Sequence, residues 1–382
     1  MKRASKKLRV ILLLLAILAF LIFILQGSYK IISIKPLWGS VILADKGNLT
    51  IKNWFDGDYQ QQEEKYLNDN FGFRSFFVRM NNQIEFSLFD KAKANGVIIG
   101  KDMYLYEENY IRAYNGTDFI GVDSIRHRLQ KVKILQDTLS KYNKDVIVVF
   151  AAGKGSFYPE FFPDNYKVPR GTTNYEYYIK EAKDLGLNYI DFNKFFVDNK
   201  FTSKYKLYPK QGIHWSFYGM CIASDSIIKY IEFKRKIDMP NIYWNDIEID
   251  YTRKDDYDIG NGLNLLFKLK REKMGYPKVL IESDSGKIKP SVLVVSDSFY
   301  WGLYNLGIWK TFSSNHFWFY NQQIYSPVLC ETMEVSQVNL RNEIMNHDVI
   351  IILATEATLP NLGWGFIESA YNEIKTSKLS RN

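Results

Sequence analysis

Ser298 stands where an apolar run, Ser291-Val292-Leu293-Val294-Val295-Ser296, gives way to a helical pattern beginning at residue 299. A serine at such a strand-to-helix turn presents its hydroxyl at the mouth of a sheet, with backbone N–H groups facing the same point. That is the setting of a nucleophile, and a serine needs a base to take its proton. Of the four histidines, His127, His214, His316 and His347, only His214 lies in a turn-like stretch at an element boundary, Gln211-Gly212-Ile213-His214-Trp215-Ser216. Taken singly, a serine after a strand is commonly a helix N-cap, and a lone histidine is commonly structural. The two in this order, with a lysine turn at Lys154 and an export signal, point instead to a nucleophile and its base.

The elements that must position them alternate. Apolar runs at 146–151, 187–192, 291–296 and 348–354 read as strands, the first continuous enough to be covered on both faces. Helical patterns lie between them at 125–139, 174–185, 216–233, 299–311 and 363–376, so the chain reads as an α/β fold with a mostly parallel sheet flanked by helices. Ligands of such sheets gather at the carboxyl ends of the strands, which directs attention to Lys154, to Ser296-Asp297-Ser298 and to Glu356. Asp297, next to the nucleophile, is placed to hold its turn. Lys154 is a candidate for an anionic ligand and Tyr304 for stacking, although a lysine in a Gly-rich turn is commonly just solvated and an aromatic is commonly core. Ahead of this domain, residues 31–120 read as a lead-in, a helix broken at Asn70-Phe71-Gly72, and a hairpin around Gly100-Lys101-Asp102. A Lys-, Asp- and Tyr-rich excursion at about 235–290 interrupts the alternation and reads as solvated surface.

Charge settles the broad class. The net charge of +8 at 382 residues hints at nucleic acid until Lys2, Arg3, Lys6, Lys7 and Arg9 are set aside, which leaves 45 basic against 42 acidic residues. The basic cluster precedes sixteen uncharged residues, Val10 to Leu25, with no matching cluster after them. This pattern predicts a transmembrane signal anchor over residues 1–30, with the N-terminus in the cytoplasm and the remainder exported to the periplasmic side of an inner membrane. Cys221 and Cys330 are expected to be buried free thiols, and the histidines form no HExxH-type pair, so neither a metal nor another cofactor is expected.

Several segments in order resemble a known family. These are Trp54-Phe55-Asp56-Gly57, Asn70-Phe71-Gly72-Phe73-Arg74, Gly100-Lys101-Asp102, the turn Gly153-Lys154-Gly155-Ser156-Phe157-Tyr158-Pro159, His214-Trp215, and Ser296-Asp297-Ser298-Phe299. Together they resemble the SGNH-hydrolase-like proteins of the alginate O-acetyltransferase type over most of residues 50–370. The resemblance implies an SGNH-like fold, Ser298 as an acetyl-accepting nucleophile, His214 as its base, and Trp215 at the sugar. It further implies acetyl transfer onto an exported cell-envelope polysaccharide, with a membrane-bound O-acyltransferase as the acetyl donor. A carbohydrate esterase of the same fold and a non-catalytic polysaccharide-binding or assembly protein remain the alternatives.

Two departures bear on the chemistry. The family's Asp-x-His-Trp has Gly212 in the acid's place, and its glycine before Asp-Ser is Ser296, which changes how closely the turn can close while keeping its N–H. Glu356, at the end of a buried strand on the same sheet edge, is the expected substitute for the acid that orients the imidazole.

Overall fold

The computed structural model describes residues 2–39, 42–328 and 331–376, so Cys330 lies outside the described residues, whereas Cys221 is a buried free thiol. The chain divides into two units, residues 1–95 with 260–269, and residues 96–259 with 270–382. The hairpin expected to belong with the lead-in therefore belongs to the larger unit.

In the smaller unit the N-terminal helix spans Lys2–Tyr29, and its Lys6–Tyr29 portion is long and apolar enough to cross a membrane. Its end is capped from beyond by its own chain: Gln26 Nε2 donates to Ile32 O at 2.7 Å, and Ile32 N donates to Gln26 Oε1 at 2.9 Å. The helices Asp58–Asn70 and Arg74–Phe89 follow the broken pattern of the sequence. The break has a steric reason, because a Cβ on Gly72 would lie 2.2 Å from Phe23 O. Phe23 in turn sits among Phe71, Phe73 and Phe77.

Among the described residues the larger unit carries eleven strands: β1 (Val97–Ile99), β2 (Leu105–Glu107), β3 (Asp145–Ala151), β4 (Tyr189–Asp191), β5 (Ile242–Tyr251), β6 (Lys273–Ile281), β7 (Ser291–Ser296), β8 (Ser314–Phe319), β9 (Gln323–Tyr325), β10 (Met333–Glu334) and β11 (Val349–Thr355). Seven form the main sheet in the order β10-β9-β8-β7-β11-β3-β4. The five from β8 to β4 are parallel, and β9 and β10 turn back antiparallel at one edge. The central strands β3, β7 and β11 are buried along nearly their whole length between helix layers, as their unbroken apolar runs require. One layer packs the helix Val122–Ser140 through Ile125, Leu129, Val132, Leu135 and Leu139, together with Phe366, Ile367, Ala370 and Ile374 of the helix Phe366–Thr376.

Two elements differ from the sequence reading. The aromatic stretch around His316 is a strand of the main sheet, β8, where Phe317 and Trp318 are buried. The excursion is not merely solvated surface: β5 and β6 pair antiparallel, and the segment between them turns back through a 3-10 turn at Lys254–Tyr257 into the short helix Asp258–Gly262.

Candidate active site

Because β7, β11 and β3 are parallel, their carboxyl ends share one edge, and the turns after them meet there. After β7, Asp297 is buried and takes over the helix cap. Its Oδ1 accepts from Phe299 N at 3.0 Å, while its Oδ2 accepts from Thr355 N, Thr355 Oγ1 and Thr358 Oγ1 at 3.0, 3.1 and 2.6 Å. Asp297 thus ties the Ser298 turn to the end of β11. Ser298 is left free of capping duty: its hydroxyl makes no cap hydrogen bond to the helix Phe299–Leu306. It faces His214 instead, with Oγ 3.0 Å from Nε2.

His214 is delivered by the loop ahead of the helix Phe217–Arg235. That helix starts on Ser216, whose Oγ accepts from Gly219 N at 2.9 Å and donates to Lys206 O at 2.7 Å, the geometry of an N-cap. The imidazole lies against the Phe299 ring, 4.8 Å between centroids. Its Nδ1 is 2.7 Å from Asp258 Oδ2. A carboxylate only accepts, so Nδ1 carries the proton and Nε2 turns its lone pair to the Ser298 hydroxyl. The other Asp258 oxygen accepts from Ile213 N at 3.0 Å and Ile259 N at 2.6 Å, which fixes the carboxylate on the histidine loop. Burial disfavours the imidazolium, but the hydrogen bond to Asp258 and the charges of Asp258, Asp255 and Asp297 outweigh it. The His214 pKa therefore ends above its ordinary value.

The substitution of Gly212 for an acid also has a steric basis. A Cβ at position 212 would lie 2.4 Å from Asp255 O and 2.9 Å from Pro209 Cγ. The backbone of the excursion has closed onto position 212, and the same stretch supplies Asp258 three residues later.

Glu356 does not stand in that role. Its Oε1 accepts from Asn193 Nδ2 at 2.8 Å and from Ser156 Oγ, and its carboxyl lies so close under Gly153 that a Cβ there would meet Oε2. Burial pushes its pKa up, against the hydrogen bonds from Ser156 and Asn193. Glu356 is a buried brace between the turn after β3 and the end of β11.

Lys154, expected to be solvated or to face an anionic ligand, is fully buried. Its ammonium donates to Lys210 O at 3.0 Å and Gly212 O at 2.5 Å, and it lies 5.5 Å from the Tyr106 ring centre. Burial pulls its pKa down to about 7, against the charges of Asp258, Glu272 and Glu107. It therefore clamps the loop that presents His214 and has no face for a ligand.

Trp215 is likewise fully buried, packed on Phe192, Phe196 and Phe299, so it has no face for a sugar. Tyr304 is half-buried in an aromatic cluster with Tyr300, Trp301 and Phe317. Ser296 ends β7 as a buried residue whose carbonyl accepts from Tyr320 N at 2.8 Å.

That contact introduces a residue the sequence did not single out. Tyr320 follows β8 with φ +50°, and Asn321 beside it has φ +54°. This paired left-handed turn is sterically unfavourable for side chains other than Gly, Asn or Asp. It brings the Tyr320 phenol near Ser298, whose groups act against the burial that raises the phenol's pKa. Burial raises the phenol's pKa, so it stays a protonated donor. Asn321 Nδ2 anchors the turn on Trp364 O at 2.9 Å.

Asp258 was missed for a different reason. It ends an acidic run, Lys254-Asp255-Asp256-Tyr257-Asp258, 44 residues after His214, in a segment whose composition reads as surface. The available signal was the vacancy at Gly212, which requires an acid from elsewhere if the histidine is to be oriented.

Residues 97–240 match the family model of the SGNH hydrolase-like domain of the acetyltransferase AlgX. Among solved structures, the O-acetyltransferase domain of Pseudomonas putida AlgJ aligns with TM-score 0.47 at 12% identity, covering 73% of this chain and 99% of that one. Bacillus cereus PatB1 aligns with TM-score 0.41 at 12% identity over 69% and 96%, and Pseudomonas aeruginosa AlgX with TM-score 0.37 at 12% identity over 68% and 55%. No curated protein sequence matches the chain.

Proposed function

We propose that this chain, an SGNH hydrolase-like protein of the AlgX type through its residues 97–240, is an O-acetyltransferase that acts on an exported cell-envelope polysaccharide. The observation that carries the reading is the continuous relay from Asp258 through His214 to Ser298, with contacts of 2.7 and 3.0 Å. Ser298 is partly exposed at the sheet edge, so an acyl donor can reach it.

The steps follow from the atoms. Ser298 Oγ attacks the acetyl carbonyl of the donor while His214 Nε2 takes its proton, and Asp258 stabilises the imidazolium that results. The negative charge that develops on the carbonyl oxygen meets the Ser298 N–H, at the start of the helix Phe299–Leu306, and the Tyr320 phenol. Collapse of the intermediate breaks the bond to the donor, which leaves with the proton from His214. Acetyl-Ser298 is then attacked by a sugar hydroxyl whose proton passes to His214, and the second collapse returns that proton to Ser298. Attack by water in place of the sugar would make the same site a deacetylase, with the same residues in the same roles.

The N-terminal helix fits an anchor that leaves the domain on the exported side of the membrane, where cytoplasmic acetyl-CoA is absent. The acetyl group then has to arrive through a membrane-bound O-acyltransferase partner. A non-catalytic binding role rests on the vacancy at Gly212, and Asp258 removes that ground.

The test uses the full-length protein in detergent with a chromogenic acetyl ester, read by turnover and by intact mass, beside Ser298→Ala and His214→Ala. A burst and a mass gain of one acetyl group, both absent from the variants, are expected. A folded protein with no adduct, and no difference among the three, would return the reading to a binding protein.

A further inference from the structure

We propose that His316, Glu343 and His347 form a binding site for a divalent transition-metal cation of the zinc type, at the opposite end of the sheet from Ser298. His316 lies on β8, in register with Leu293 of β7. Glu343 lies on the helix Leu340–Asn346, and His347 follows it immediately. One ligand atom from each residue falls within 4.8 Å of the other two. Position 343 and position 347 are one helical turn apart, the spacing that brings two side chains to one point, and β8 brings the third.

The hydrogen bonds fix how the nitrogens are presented. His347 Nδ1 is 2.6 Å from the Glu343 carbonyl oxygen, so it carries the proton and leaves the lone pair on Nε2. A ring N–H held by a backbone carbonyl is the outer support that metal-binding histidines ordinarily have. His316 Nδ1 is 2.7 Å from Glu343 Oε2, and a cation seated there takes the place of the proton between them, with the ring proton carried on His316 Nε2 instead. Ligands of a tetrahedral zinc ion sit about 3.4 Å apart, so small side-chain rotations close the set. His347 is buried and the other two are half-buried, which leaves a fourth position for water or a ligand.

The charge balance selects the class of metal. Among the described residues a single carboxylate, Glu343, joins the group, and the Lys144 ammonium lies close by, donating to His347 O at 3.0 Å. A hard cation that relies on several oxygens has too little here, whereas two imidazoles suit zinc and its neighbours. The cation would clip the end of the helix Leu340–Asn346 to β8, a structural rather than chemical function. β11 begins just after His347 and runs seven residues to the site edge, roughly 20 Å of strand. The proposal therefore stands independently of acetyl transfer.

The experiment is calorimetric titration of the full-length, metal-stripped protein in detergent with zinc and, separately, with calcium. Thermal unfolding is followed with and without zinc. One zinc per chain is expected, with a raised unfolding temperature and no comparable calcium binding. His316→Ala and Glu343→Gln are each expected to weaken zinc by at least about tenfold and to abolish the thermal shift. His316 is half-buried, so its variant keeps the test open where changing buried His347 would unfold the chain. Absence of zinc binding by the folded protein, equal binding by both variants, or equal affinity for calcium would overturn the site.

Discussion

The two ends of the main sheet each hold a histidine bonded to a carboxylate at the same distance: His214 to Asp258 and His316 to Glu343, both 2.7 Å. The pairs are not equivalent. At the carboxyl end, the far nitrogen of the imidazole meets a serine hydroxyl freed from capping by Asp297. At the amino end, the neighbour is a second histidine, with ring centroids 4.8 Å apart and its own Nδ1 tied to the backbone. A histidine–carboxylate pair is thus only a component. What stands beside the pair, a hydroxyl or a second imidazole, sets it apart.

The sharpest way to break this comparison is to remove the hydroxyl or the imidazole it faces. Ser298→Ala or His214→Ala should lower acetyl-ester turnover by about 10⁶-fold, and the double variant should be little worse than either. Asp258→Asn comes next, at about 10⁴-fold in kcat, because an amide cannot hold the imidazole in the required tautomer. Glu356→Gln should do far less, and equal losses in the two variants would restore Glu356 as the orienting acid.

Lys154→Met tests the clamp behind the histidine. It strips the charged donor that meets both Gly212 O and Lys210 O, with an expected stability loss of about 1–3 kcal/mol by urea unfolding. The effect on turnover should fall on kcat rather than KM, since Lys154 positions His214 and touches no substrate.

The pH profile separates the pairs more finely. Ser298 needs neutral His214, so turnover should rise with pH through a midpoint above about 6.5, the ordinary imidazole value. Asp258→Asn removes the hydrogen bond and charge that oppose burial most strongly, so the midpoint should fall below that of the wild type. A midpoint that stays put in this variant would mean the Asp258 contact does not control the base. The smallest effect is expected from Glu343→Gln, within about twofold of the wild-type turnover, and a large loss there would tie the two ends of the sheet together.

Much of this arrangement was legible in the sequence, unevenly and for physical reasons. The strands β3, β7 and β11 announce themselves because a parallel strand buried on both faces must be apolar throughout. Ser298 and His214 follow from their places at strand and helix ends. Lys154 misled because a Gly-rich turn ordinarily faces water, and only the tertiary fold shows Tyr106 and the 207–213 loop covering it. Asp258 was hidden because an acid can approach a histidine from any segment, and its own looks like surface. Tyr320 and the His316 cluster depend on β8, whose aromatic run carries neither a strand's alternation nor a helix's period. Glu356 sits at the right edge but faces inward, and no local pattern encodes that direction.

The closure of residues 255–256 over Gly212 also bears on descent. An acid at position 212 and the Asp258 arrangement cannot occupy the fold together, since the side chain of one fills the space taken by the backbone of the other. A lineage passing between the two forms must either traverse an ancestor whose histidine lacked a partner or shift both segments in concert. Each form is then shielded against reversion, and relatives should divide into two groups by where the acid lies, with few intermediates.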